Sequence, residues 1–320
     1  MQLGLKDLAA QLDTMQSIRQ WGKVVQVLGD IIEADAPSAS LGAFANIGSA
    51  VCEVVGVREN RALLMPLDPI QNIRMGDRVE FTKGLASISV GEELLGRVLD
   101  PLGRPLDDRI IPPGLNTRPL KGPAPNPMSR SLMKDSLGTG VRVIDGMLTL
   151  GKGQRIAIMA GSGVGKSTLM GMLARSSAAD INIIAMVGER GREVGEFLEN
   201  DLRDGLKKSI VIVSTSNVSP ALQIKGVEAA MSLAESFRDK GKDVLVLVDS
   251  ITRLAMAQRQ IGLSAGEPPT TKGYPPSVFT MLPRLLERGG PGEGRGTITT
   301  VNTVLVEGDD IRLNRTTFGI

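Results

Sequence analysis

The sequence has no histidine and a single cysteine, Cys52, among its 320 residues. These shortages exclude an imidazole general base, an internal disulfide and the usual zinc sites. Aromatics are scarce too, with one tryptophan, one tyrosine and six phenylalanines in the whole chain. Charge has no strong sign, since 37 basic residues stand against 35 acidic ones for a net +2, so no global field favours nucleic acid or a membrane as main partner. No run of about 18 uninterrupted apolar residues is present to span a bilayer. The N-terminus also lacks the basic and apolar regions of a secretory leader. The expectation is a cytoplasmic chain whose chemistry comes from carboxylates, lysine, arginine and backbone amides.

What is present is enough hydrophobic content, 42%, for a large core and more than one domain. Leu5, Leu8, Leu12 and Met15 recur at helical spacing, which predicts an amphipathic helix over residues 1–20. It would dock onto a partner chain or the membrane surface, or else pack on its own domain. From 21 to 92 short Val/Ile/Leu runs alternate with Gly, Asp and Pro, the pattern of a small β-barrel. Residues 93–130, with "VLDPLGRPLDD" and "PLKGPAPNPMSR", look like connecting backbone at a domain boundary. Beyond that, "RIAIM", "INIIAMV", "SIVIVS", "DVLVLVD" and "TITTVNTVLV" are near-continuous apolar runs separated mostly by helical stretches. Such runs suit strands buried on both faces, so residues 131–310 should form an α/β core around a mainly parallel sheet.

The stretch "RIAIMAGSGVGKSTLMGML" passes from strand through a glycine-rich loop into a helix near Lys166. In that context Gly161, Ser162, Gly163, Val164, Gly165, Lys166, Ser167 and Thr168 form a candidate phosphate loop. Its backbone N–H groups would turn toward one anion and the helix N-terminus would add partial positive charge. Lys166 would reach the β- and γ-phosphates of ATP, and the Ser167 hydroxyl would bind Mg²⁺. The strict pattern wants glycine at position 160, where this chain has Ala160. A turn that merely joins strand to helix is the bland alternative. Asp249 ends the apolar run "DVLVLVD" and is the candidate for the Mg²⁺ shell, though an aspartate there can also simply start a loop. Glu189, flanked by Arg190 and Arg192, is the candidate for polarising an attacking water; a salt bridge with a neighbouring arginine is its alternative.

The motifs "AGSGVGKSTLMGMLAR", "GERGREVGEF", "VDSITRLAMAQRQIGLSAGEPPTTKGYPPSVFTMLPRLLER" and "TVLVEGDD" resemble the flagellum-specific ATP synthases, the type III protein-export ATPases related to the rotary ATP synthase α/β subunits. The resemblance runs from about Trp21 to Asp310. It implies a RecA-like core, ATP hydrolysis with Mg²⁺ and a hexameric ring at the inner face of the cell membrane. It also implies a stator-like regulatory protein on the N-terminal helix, a coiled-coil stalk protein in the channel, and contact with an export gate and chaperone–cargo complexes. Glu189 takes the catalytic role by resemblance, with Lys166, Arg190 and Arg253 as further catalytic residues. The loop 264–276 would face the channel, with Lys272 and Tyr274 as contacts.

After "VEGDD" the chain reads "IRLNRTTFGI", residues 311–320 of which do not match the family's continuation. An arginine that reaches the neighbouring subunit is expected to be missing there, with Arg312 and Arg315 poor substitutes, so turnover by this chain alone should be slow. Two other readings stay in play: the ATPase of a virulence-type injectisome, and a truncated nucleotide-binding subunit with little turnover. A hexameric RNA motor is disfavoured, because between residues 22 and 92 only Phe44 and Phe81 could stack on bases.

Overall fold

The structure, a computed structural model, describes residues 20–36, 39–68, 72–161, 163–294 and 296–306. The helix expected over 1–20, save Gln20 itself, and the tail 311–320 with Arg312 and Arg315 lie outside the described residues. The chain divides into two compact units between Gly84 and Leu85.

In the first unit six strands close a barrel: β1 (Gln20–Leu28), β2 (Ile31–Asp35), β3 (Ala43–Ile47), β4 (Ala50–Arg58), β5 (Arg61–Pro66) and β6 (Arg78–Leu85), in the order β1-β2-β5-β4-β3-β6. Side chains two residues apart share a face, so Ile32 with Ala34, Cys52 with Val54, Ala62 with Leu64, and Val79 with Phe81 fill the interior. Burial, aided by the charge of Asp68, pushes the Cys52 thiol up to about 12. Phe81 is thus an interior residue, whereas Trp21 is exposed beneath the Arg78 guanidinium, 5.4 Å from its ring centroid.

The second unit carries β7 (Ser87–Val90), β8 (Arg97–Leu99), β9 (Asn116–Pro119), β10 (Arg155–Ala160), β11 (Ile181–Val187), β12 (Ser209–Ser214), β13 (Asp243–Asp249), β14 (Gly290–Pro291) and β15 (Thr297–Leu305). Its helices are α1 (Lys166–Ser176), α2 (Gly191–Glu196), α3 (Pro220–Asp239), α4 (Ile251–Ser264) and α5 (Pro276–Leu286). The main sheet runs β10-β15-β13-β11-β12-β8, and every neighbouring pair along it is parallel. Short β14 adds an antiparallel partner to β15. Every residue of β11 and β12 is buried, which is why these runs are continuously apolar rather than alternating.

The stretch 93–130 does more than connect. β8 joins the sheet beside β12, and β9 pairs with β7. Arg97 makes this possible: its buried guanidinium holds both oxygens of Asp107 at 2.7 and 2.8 Å and folds the Gly/Pro-rich turn back onto the strand. In return the guanidinium holds the Asp107 carboxyl far below the usual range. Among the described residues no helix is long and apolar enough to cross a membrane.

The segment after α5 is fastened to α3 by a buried charge network. Arg288 donates to Glu235 at 2.8 and 3.1 Å, to the Leu120 carbonyl at 2.8 Å and to the Ser232 hydroxyl at 3.0 Å. Arg118 lies 3.3 Å from the same Glu235 carboxylate. Removing one partner of a buried pair strands the other's charge. Arg288→Met is therefore expected to lose about 3 kcal/mol of stability in urea denaturation, and the double variant Arg288→Met/Glu235→Leu should recover part of it. A single variant as stable as the parent would show that Arg118 alone suffices for Glu235.

Candidate functional site

The loop after β10 has the backbone that the glycine pattern demands. Gly163 and Gly165 have φ of 76° and 88°, a left-handed region in which a Cβ is costly. Gly165 is the residue before α1, and no side chain caps that helix, so its first N–H groups are available to an anion. Ser167 and Thr168 are exposed on its first turn and Val164 is exposed in the loop. Ser162 lies outside the described residues. Ala160, where the pattern wanted glycine, is the last residue of β10 and pairs with Leu305. Extended backbone accepts its methyl group without strain.

Lys166 crosses from the start of α1 to the end of β13, with Nζ 2.8 Å from Asp249 Oδ1. The same oxygen accepts the Thr303 hydroxyl of β15 at 2.7 Å. Past Asp249, the Ser250 hydroxyl accepts the Arg253 backbone N–H at 3.4 Å and opens α4. Arg253 then lies over the end of β11, where only glycine fits: a Cβ on Gly188 would come within 2.5 Å of Arg253 Cδ.

Glu189 follows that glycine and is buried. Arg253 Nε stands 3.6 Å from its Oε1, an ion pair too long for a hydrogen bond, and this buried Nε has no hydrogen-bond partner. The Glu189 carboxyl also hydrogen-bonds to Glu193, on the first turn of α2. Burial first, then Glu193, then the charge of Asp249 push Glu189 up to about 7, while Arg253 and Lys166 pull the other way. Glu193 is held below its ordinary range, chiefly by its interaction with Glu189.

Lys166, Glu189 and the pair Asp249 and Arg253 therefore come together from three separate stretches of sequence. Arg190 does not join them: it is the exposed residue that opens α2, and its backbone N–H reaches Glu193 Oε2 at 3.5 Å. The salt bridge considered for Glu189 forms with Arg253 rather than with its sequence neighbours. Two further residues stand at the site: Thr303 opens "TVLVEGDD" and Glu193 lies within "GERGREVGEF". β15 holds four threonines and an asparagine among its nine residues, so nothing in the strand marks Thr303, and Glu193 stands out only as a carboxyl four positions after Glu189. Within the loop 264–276, Lys272 is exposed. Tyr274 instead faces inward, with the Arg259 guanidinium 5.5 Å from its ring centroid, because burial of its ring within this chain is more favourable than leaving it in water.

Residues 140–317 match the ATP synthase alpha/beta family, nucleotide-binding domain. The flagellum-specific ATP synthase of Bacillus subtilis (strain 168) is 51% identical over 308 residues, covering 94% of this chain and 70% of the relative. The type 3 secretion system ATPase of Xanthomonas euvesicatoria is 46% identical over 309 residues, covering 94% of this chain and 70% of that one. Among solved structures, the assembled ATPase EscN from the enteropathogenic E. coli type III secretion system superposes with a TM-score of 0.85 at 43% identity, over 91% of this chain and 71% of EscN. The barrel and the parallel sheet with its helices are thus shared with EscN, and the chain belongs to the ATP synthase alpha/beta family.

Proposed function

We propose that this chain is an ATP-hydrolysing subunit that energises type III export of flagellar proteins. The observation that carries the reading is the meeting of Lys166, Asp249, Glu189 and Arg253 beside the glycine-rich loop, at the C-terminal ends of parallel strands. Open α/β sheets bind their ligands at that edge. The loop from Gly161 to Thr168 cradles the phosphates through backbone N–H groups. Lys166, a point charge on a flexible stem, exchanges Asp249 for phosphate oxygens. Ionised Glu189 accepts a hydrogen bond from the attacking water and orients it in line. Arg253, with a donor unspent inside the protein, answers charge on the transferring phosphoryl group.

Ser167 and Asp249 fit Mg²⁺, since a hydroxyl and one carboxylate are hard oxygen donors of the kind this ion takes alongside phosphates and water. When bound, Mg²⁺ neutralises charge on the β- and γ-phosphates. Among the described residues no group of three or more His, Cys, Asp or Glu could hold a metal by itself, which suits an ion that arrives with the nucleotide.

The hexameric ring, the coiled-coil stalk facing the loop 264–276, the stator-like regulator on the segment 1–20, and docking with export gate and chaperone–cargo complexes at the inner membrane face belong to the same proposal. One solved relative, EscN, is described in complex with its central stalk EscO. Relatives named for the injectisome are nearly as similar as those named for the flagellum, so service to an injectisome is the second reading. Expression in strains lacking one or the other export ATPase separates them: restored motility supports the flagellar role, and restored effector secretion alone the other.

Lys166→Ala should abolish binding of a fluorescent ATP analogue, because the lysine neutralises phosphate charge before any chemistry. Glu189→Gln should bind the analogue normally yet lower phosphate release by about 10² to 10⁴. Equal loss of binding in both would overturn this division of roles.

The pH dependence of kcat/KM tests the carboxyl pair. Because Glu189 is shifted upward, to about 7, it holds its proton below that pH and cannot orient water through an anionic oxygen. Activity should therefore rise across an acid limb near 7. Glu193→Gln removes the second cause of the shift and should move the limb to lower pH. A limb that stays in place would assign the shift to burial and Asp249 alone.

A further inference from the structure

The geometry points to Thr303 as a positioning residue for the nucleotide site: its hydroxyl fixes the Asp249 carboxylate in the orientation that serves Mg²⁺-bound nucleotide. This inference rests on the nucleotide reading above and deepens it. Thr303 is fully buried on β15, and its Oγ lies 2.7 Å from Asp249 Oδ1 and 3.2 Å from the Val248 carbonyl. A hydroxyl has one proton to donate, and the shorter contact to a charged acceptor is the stronger of the two. Asp249 Oδ1 thereby has two donors, Thr303 and Lys166, at 2.7 and 2.8 Å. Among the described residues no hydrogen bond reaches Oδ2. One oxygen of the carboxylate is thus engaged by protein donors, and the other is the one that would serve a cation's water shell.

The two donors differ in kind. Lys166 rides on a flexible stem and is the group phosphate competes for, so its hold on Oδ1 weakens once nucleotide arrives. Thr303 is β-branched with a stiff χ1. It also sits in a strand paired on both sides, to β13 and β10. The end of that strand is pinned to α4, because the Leu305 N–H donates to the Thr252 hydroxyl at 2.9 Å. Thr303 is therefore the partner that remains when Lys166 turns to phosphate, and it keeps Asp249 from rotating its second oxygen away. Partners that orient a metal-facing carboxylate commonly influence metal affinity about 10- to 100-fold.

The test is a binding measurement on the 320-residue chain, with a fluorescent ATP analogue titrated in EDTA and again across a Mg²⁺ series. Thr303→Val keeps the shape and loses the donor. It should bind the analogue in EDTA like the parent, while the Mg²⁺ concentration for half of the Mg²⁺-induced gain in affinity rises roughly tenfold. Thr303→Ser, which restores the donor, should return that midpoint most of the way, an outcome that a purely space-filling role would not give. Should Thr303→Val unfold, as judged by its melting temperature, Thr303→Ala lacks the donor without crowding the site and must show the same rise. A folded donor-free variant with the parent's Mg²⁺ midpoint overturns the role of Thr303 while leaving the nucleotide site intact. A parent chain that binds no analogue at all overturns the nucleotide reading and this inference together.

Discussion

Asp249 and Glu189 lie close enough for the charge of one to bear on the other, and partial burial makes that repulsion costly. The rest of the site can be understood as the means of tolerating it. Asp249 is compensated by the Lys166 ammonium and the Thr303 hydroxyl. Glu189 is relieved differently, by an upward shift that favours its neutral form and by standing near Arg253. The two acids thus differ in character: Asp249 is partnered by two donors, while Glu189 is pushed up to about 7. Under the proposed function that asymmetry would suit phosphoryl transfer, with one group placed for the cation and another for orienting water.

The parallel sheet supplies the scaffold. Met186 of β11 is paired with Asp249 of β13, and Ala160 of β10 with Leu305 of β15. Three functional strand ends therefore open onto the same edge. Two of the segments leaving that edge turn on positive-φ glycines, Gly163 and Gly165 after β10 and Gly188 after β11, while β13 passes through Ser250 into α4. Rigid strands set the starting points, and the glycines set the directions in which the chain departs.

The sheet strands and the phosphate loop were legible in the sequence because their determinants are local. Continuous apolar runs mark β11, β12 and β13, and the loop's glycine spacing is dictated by its own φ angles. Asp249 and Glu189 were legible because each ends such a run. The partners that tune them were not. Thr303 is a good strand residue on propensity alone, so its sequence position carries no hint that Asp249 lies beside it. Glu193 reads as a surface carboxyl of a short helix until the chain turns it back on Glu189. β8 was hidden for a related reason: a Pro/Gly-rich stretch looks like a linker unless one knows that Arg97 and Asp107 fold it against the sheet. Tyr274 looked available to a partner in a proline-rich loop, and only the position of Arg259 shows that it faces inward. Side-chain pairs distant in sequence are what a single chain, read alone, conceals.

The place of β15 in the sheet has a consequence for biogenesis. This strand lies between β10 and β13, yet it is the last of the described strands to be synthesised. With synthesis at about 5 to 20 residues per second, the loop-bearing strand and the Asp249 strand wait on the order of ten seconds with no partner between them. Their unpaired edges are exposed to solvent, chaperones and neighbouring nascent chains throughout that interval. A ligand stabilises only the state that binds it, so nucleotide cannot act as an early template for this unit. Its stabilising effect begins once Leu305 has emerged and the sheet has closed over the gap.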